Sequence, residues 1–192
     1  MFTLNEAIMA GAADDREYFT EKDIDALYYI LPIKNLVSVL EHGLLSHNRA
    51  LRLPGPREDV SDAGVQKRRD GIRIPRAAHQ EKPAMRLHRF VNFYINPHNA
   101  MMAVRRDEHE NLCVLRIRRE ILDRGDEVFS SMNAAKGDVR FFPHREKYRL
   151  SPTTKMMLTH KDSQGERVFS RHQKAEIEEE RRPKRQAEVL FP

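Results

Sequence analysis

One cysteine, Cys113, occurs in 192 residues. An internal disulfide framework and a multi-cysteine metal cluster are therefore excluded. A reducing, cytoplasmic compartment is the expectation. No apolar run approaches the roughly 18 residues that a membrane span needs, so no membrane association is expected. Met1 to Ala13 lacks a basic segment followed by an apolar one and does not read as a signal peptide. There is no Walker loop, no GxGxxG after a strand, no HExxH and no GxSxG. These absences remove the commonest nucleotide-hydrolase, Rossmann, zincin and serine-hydrolase readings. Any nucleotide would have to be held without a glycine-rich phosphate cradle. The nine histidines are scattered, and none makes an i,i+4 ligand pair beside a carboxylate, so no metal is expected.

Charge is abundant and unevenly placed. Charged residues make up 33% of the chain, against about 25% in an ordinary soluble domain. Residues 1–27 hold seven acids and two bases, although the chain as a whole is +5. Residues 49–89 hold eleven bases against five acids. A basic body suits a polyanion such as nucleic acid; a well-solvated surface accounts for the same numbers. The length suits one domain with a single real core.

Residues 1–26 read as an acidic N-terminal extension, with one compact domain over 27–192. Leu27–Leu31 reads as a strand ended by Pro32. A helix then follows from Ile33 to His42, its stripe of Ile33, Leu36, Val37 and Leu40 facing the core, with Gly43 at its left-handed end. Residues 49–86 are rich in proline, glycine and arginine and read as a long, partly ordered basic loop, with a helical turn over Val65–Asp70. Phe90–Ile95 and Leu112–Ile117 are strong strands. A short helix capped by Asn99 is expected over Ala100–Arg106, and a briefer one over Glu120–Leu122, ended near Gly125. Val128–Ser130 and Val139–Phe142 read as strands joined by a turn, Lys174–Arg182 as a helix, and Ala187–Phe191 as a last strand. Strands without βαβ alternation indicate an α+β domain.

Cys113, flanked by Leu112, Val114 and Leu115, reads as a buried structural thiol. Glu188 interrupts an apolar strand. Alternation puts it on one face with Leu190, while Ala187, Val189 and Phe191 take the other. An acid so placed lies either on an exposed strand face or in a site. Arg68-Arg69 is either a solvated pair or a phosphate clamp.

Five segments in order carry a resemblance: Leu27–Leu36 continuing through Leu40–Asn48; Lys67-Arg68-Arg69-Asp70; Leu87–Met102; Leu112–Ile117; and Lys184–Leu190. Together they resemble the DarT family of DNA ADP-ribosyltransferase toxins. The resemblance implies an ADP-ribosyltransferase fold, a split mixed or antiparallel β-sandwich with an NAD cleft and peripheral helices. It implies transfer of ADP-ribose from NAD to a base of single-stranded DNA, thymine or guanine, with release of nicotinamide. It also implies a macrodomain antitoxin of the DarG type as partner. An ADP-ribosyltransferase acting on RNA or protein, and an inactive nucleic-acid-binding member of the fold, are the alternatives.

By the same resemblance, Glu188 matches the catalytic glutamate and Arg69 the second functional residue. Tyr29 falls where many members have histidine, and Leu31 where many have threonine. Asn35, His47, Arg69 and Tyr94 join them along NAD. Arg49, Lys67, Arg68, Arg73 and Arg76, with Arg52, would form a polyanion track. The family role of Arg69 is to help the acceptor lose a proton. Arginine is a poor base, and phosphate holding and orientation suit it better. Phe93 or Tyr94 would stack on a base or on nicotinamide, the other packing in the core. The chain ends four residues after Glu188, whereas family members continue. That leaves the last strand expected to lack an outer neighbour, with no room for a fused antitoxin.

Overall fold

A computed structural model describes residues 18–55, 63–75, 83–98, 100–150 and 187–192. The expected helix over 174–182, the cap Asn99, and Arg76, Lys184 and Arg185 lie outside these residues. Among the described residues there are eight strands: β1 (Ala26–Pro32), β2 (Arg73–Ile74), β3 (Met85–Arg86), β4 (Val91–Tyr94), β5 (Leu112–Arg118), β6 (Val128–Ser130), β7 (Phe141–Phe142) and β8 (Glu188–Phe191). Six of them form one sheet in the order β5-β1-β4-β8-β6-β7, and β2 pairs with β3 in a separate ribbon. Every pairing among the described residues is antiparallel.

The last strand in sequence sits inside the sheet. β8 runs between β4 and β6, with Leu190 opposite both Asn92 and Val128, and Val189 opposite both Phe93 and Phe129. The expectation that it lacks an outer neighbour is corrected. Its continuous apolar run is explained by this central place, where both sheet faces are covered.

The two faces carry two cores. Phe93, Val189, Phe129 and Phe191 lie on one, with Tyr148, Leu27 and Leu122. Leu190, Val128, Phe90, Ile74, Leu87 and Ala134 form the other. Tyr148 stacks on Phe129 at 4.5 Å between ring centroids and meets Phe19 and Phe142 edge-on. Phe19 and Ile24 are each 1% exposed, and Phe19 bridges Leu150. Packing therefore begins before Leu27, because these two side chains close the first core.

Short helices cover the rim: α1 (Leu36–His42), α2 (His47–Ala50), α3 (Ala63–Asp70) and α4 (Ala100–Val104). Within the stretch 49–86, the helical turn expected over Val65–Asp70 is the helix α3, and the described residues also hold the two strands of the ribbon. Pro32 closes β1 from within, opposite Leu112. The stripe expected on α1 points the wrong way: Ile33, Val37 and Leu40 are 48, 64 and 78% exposed. A 3-10 turn over Ile33–Asn35 precedes α1 and advances its phase. Asn35, Ser38 and Val39 consequently line a cavity against the body. Gly43 does end α1 with positive φ of 76°, and Gly125 ends a 3-10 helix over Arg119–Arg124 at 69°. Cys113 is only half-buried, because β5 is an edge strand; burial still pushes its thiol up. No described helix is long and apolar enough to cross a membrane.

The Tyr148 hydroxyl is buried, and no group among the described residues bonds it. Removing an unsatisfied hydroxyl forfeits no hydrogen bond. Tyr148→Phe is expected to leave the urea midpoint unchanged or raise it, whereas Tyr148→Ala should cost about 3–5 kcal/mol. A Tyr148→Phe loss as large as that of the alanine variant would contradict this packing.

Candidate active site

Glu188 opens β8 on the same face as Leu190, and its side chain is 0% exposed. A fully buried carboxylate needs compensating donors. Three are supplied. Arg69 donates from Nη2 to Oε2 at 2.8 Å, Asn92 donates from Nδ2 to Oε2 at 2.5 Å, and the Ala134 amide donates to Oε1 at 3.1 Å.

Each donor comes from a different element. Asn92 reaches across from β4, two residues before Tyr94, which lies opposite Glu188. Ala134 belongs to the turn after β6. There the Asn133 side chain accepts the Ala135 amide at 2.8 Å and shapes the backbone. Ser130, at the end of β6, accepts the Glu188 amide at 2.8 Å and donates to the Met132 carbonyl at 2.7 Å. It extends the β6–β8 ladder by a side chain and fixes the first residue of β8.

Arg69 is the one buried residue of α3. Burial alone would pull its guanidinium down. The Glu188 charge and hydrogen bond offset that and hold it above its ordinary value. The Tyr94 phenol is pushed up, first by burial and then by the Glu188 charge, so it stays protonated and able to donate.

Arg69, Asn92 and Tyr94 line a cleft of about 250 Å³, and Glu188 is buried behind them. The cleft opens because β1 and β4 meet at one pair only, Tyr28 opposite Tyr94. Beyond that pair, residues 29–32 of β1, and Phe90 with residues 91–92 of β4, line the opening. Tyr29, Leu31, Asn35, His47, Arg69 and Tyr94, the residues expected along NAD, all line this one cleft. Phe93 faces away and packs on Tyr29 and Phe191 at 6.0 and 5.6 Å. Of the two aromatic residues, Tyr94 is the one on the cleft.

The expected polyanion track divides. Arg49, Lys67, Arg68 and Arg73 are exposed. Arg69 is not a free phosphate clamp, because its guanidinium is turned inward onto Glu188. Sequence reasoning missed Asn92, Ser130, Ala134 and His88. His88 lines the cleft and is buried, with the His47 ring tilted against it at 4.5 Å between ring centroids. The signal for Asn92 was present: it is a polar residue at the alternate position of a strong strand.

A family model described as ssDNA thymidine ADP-ribosyltransferase, DarT, matches residues 28–192. The chain belongs to the DarT family. As a DarT member it is an NAD-dependent ADP-ribosyltransferase of single-stranded DNA, with the α+β fold of that family. The structure of Thermus sp. 2.9 DarT in complex with ADP-ribosylated ssDNA is similar, with TM-score 0.64 and 22% identity over 91% of this chain and 80% of that one. Thermosipho africanus DarTG in complex with ADP-ribose gives 0.63 and 25% over 87% of this chain and 40% of that one. Thermus sp. 2.9 DarT in complex with NAD+ gives 0.59 and 20%, over 88% and 77%. No curated protein matches the sequence.

Two outcomes follow for this DarT chain. Arg69→Met strands a buried carboxylate and should cost about 3–5 kcal/mol in a urea melt. Adding Glu188→Leu should recover much of that loss; an additive loss would mean that the pair does not depend on mutual compensation. The second outcome concerns His88. Burial first, then the charges of His47 and Arg69, hold its ring below the ordinary 6.5 against the opposing pull of Asp70. Gln66 also faces it. The unfolded chain therefore binds this proton first, and the stability present above the unfolded value is lost as pH falls below it. Between about pH 7.5 and 5.5 the melting temperature should fall further in wild type than in His88→Gln. Parallel curves for the two proteins would refute this.

Proposed function

We propose that the cleft between β1 and β4 holds NAD and that Glu188 is the residue on which transfer of ADP-ribose depends. NAD supplies the ADP-ribose, and its bond to nicotinamide breaks with positive charge gathering on the ribose. The observation that carries this reading is a buried, triply bonded carboxylate directly behind a cleft lined by six residues expected along NAD. A carboxylate held in a low-dielectric wall stabilises developing positive charge at little cost of reorganisation. Its Oε2 carries two donors, so a ribose hydroxyl can exchange for one without leaving the oxygen bare. Asn35, His47 and Tyr94 offer hydrogen-bonding groups along the cleft, whereas Leu31 offers only packing. Tyr29 keeps an aromatic face and a hydroxyl where many members have histidine. Arg69 orients Glu188 and presents positive charge to the acceptor base. Its raised pKa makes it unsuited to taking a proton.

The acceptor in this reading is thymidine in single-stranded DNA, following the family description. A single strand spares the cost of extruding the base from a duplex. The strand's phosphates would run over Arg49, Lys67, Arg68 and Arg73. Arg49, Arg52 and Arg89 share a cavity of about 530 Å³ with Ser46 and Asn48, and no acidic side chain among the described residues pairs with these three arginines. Such a cluster favours a polyanion. We propose a macrodomain antitoxin as partner, by analogy with DarTG.

Incubation with NAD and thymidine-containing single-stranded DNA, read by mass spectrometry, should give a DNA adduct and free nicotinamide. Glu188→Gln should lower the rate by about a hundredfold or more. A wild-type rate would remove Glu188 from the reaction. Labelling of RNA or protein with none on DNA would overturn the acceptor. Alanine at Arg49, Arg52 and Arg89 together should raise the half-saturating DNA concentration and flatten the log–log salt dependence of binding by about two units. An unchanged slope would place the strand elsewhere.

A further inference from the structure

Helix α3 has little apolar surface with which to dock. Ala63 and Val65 are its apolar side chains, and Arg69 alone of its residues is buried. Polar contacts must therefore set its position. Arg69 is one tether. Two others converge on a single ring outside the helix. His88 Nε2 lies 2.9 Å from Gln66 Oε1, and His88 Nδ1 lies 3.5 Å from Asp70 Oδ1. Gln66 and Asp70 are four residues apart and stack on one face of α3, with Arg69 between them in sequence and on the same side. A neutral ring has one N–H, which Nε2 gives to Gln66 Oε1, while the Asp70 carboxylate lies against Nδ1 at the longer distance; one ring thus meets the helix at two points a turn apart.

The ring itself is firmly placed. His88 sits in the 3-10 turn Leu87–Arg89 that leads into β4, between buried Leu87 and the residue before buried Phe90. The Leu87 amide bonds the Ile72 carbonyl at 2.9 Å. The His88 ring lies against His47. The position of β4 is thereby passed to α3, and β4 also carries Asn92, the other side-chain donor to Glu188.

We propose that His88 is a positioning residue for the transfer reaction: by holding Gln66 and Asp70 it fixes the register of α3 so that the Arg69 guanidinium stays on Glu188. This rests on the reading of Glu188 and Arg69 given above. Arginine has a long, flexible stem, so its approach to a carboxylate is only as exact as the backbone beneath it. A misplacement of about 1 Å in a catalytic constellation can cost on the order of a hundredfold in rate.

The test compares kcat and KM for NAD in His88→Leu, His88→Gln, Gln66→Ala and Arg69→Ala, with folding monitored by circular dichroism. His88→Leu should lower kcat by about tenfold to a hundredfold, with KM for NAD within about threefold. His88→Gln keeps a side-chain donor and acceptor and should recover part of the loss. In an Arg69→Ala background, His88→Leu should add nothing, because its effect runs through Arg69. If His88→Leu fails to fold, Gln66→Ala takes its place, with a severalfold loss that likewise vanishes without Arg69. If Arg69→Ala keeps the wild-type rate, the reading of Arg69 fails and this proposal falls with it. If Arg69→Ala is slow but His88→Leu keeps or exceeds the wild-type kcat, or the two losses multiply, the positioning role is wrong while Arg69 stands.

Discussion

The buried contact between Arg69 and Glu188 joins elements that the chain order keeps far apart. Their separation in sequence is 119 residues, yet the guanidinium and the carboxylate meet at 2.8 Å with side-chain exposures of 10 and 0%. Removing both charges from water costs several kcal/mol each, and mutual attraction alone seldom compensates. The balance is helped here by the Asn92 amide and the Ala134 N–H, which satisfy the carboxylate further. α3, β4, β8 and the turn after β6 must all be in place before this charge is tolerable. An arginine suits such a site better than a lysine, because its delocalised charge is more weakly hydrated and its fork is planar.

The sheet around that contact is well paired on one side and barely paired on the other. β8 is flanked by β4 and β6, so the strand bearing Glu188 is held from both edges. β1 pairs along seven residues with β5 but at a single position with β4. The split therefore falls next to the rigid part, and the cleft gains one wall from each portion. Rigid support behind an open groove is what a site needs if its charged floor is to keep its geometry while a substrate enters.

Local pattern made some of this legible and distance hid the rest. Alternation along Ala187–Phe191 put Glu188 on a face of its own with Leu190, and the structure agrees, because that inference needs only the strand's own period. The same kind of inference failed on α1. Periodicity shows that Ile33, Val37 and Leu40 share a side, but it cannot show which side faces the body when a 3-10 turn resets the phase. The interior place of β8 depends on pairing with strands nearly a hundred and nearly sixty residues earlier, for which no local signal exists. Ala134 matters through its backbone amide, so its side-chain type carried no sign of it, and the Ser130 hydroxyl bonds a backbone amide 58 residues away, which no local pattern marks. The resemblance supplied Arg69, yet not its inward turn. Charge composition alone would have left it among its exposed neighbours Lys67 and Arg68.

That last point changes what the basic stretch 49–89 means. Its bases look alike in sequence but sit in three different electrostatic settings. Lys67, Arg68 and Arg49 lie in water, where each is screened and free to meet a phosphate. Arg86 lies 3.6 Å from Asp70, an exposed and therefore weak pairing that nevertheless adds to the polar anchoring of α3. Arg69 is fixed in the wall of the cleft. A helix with no apolar face has to be aligned by directional contacts, and directional contacts discriminate position more sharply than apolar burial does. The polarity of α3 that makes it look like loop in sequence is therefore consistent with its task. A helix anchored by hydrogen bonds and ion pairs holds a particular register, and register is what decides whether its arginine reaches the carboxylate.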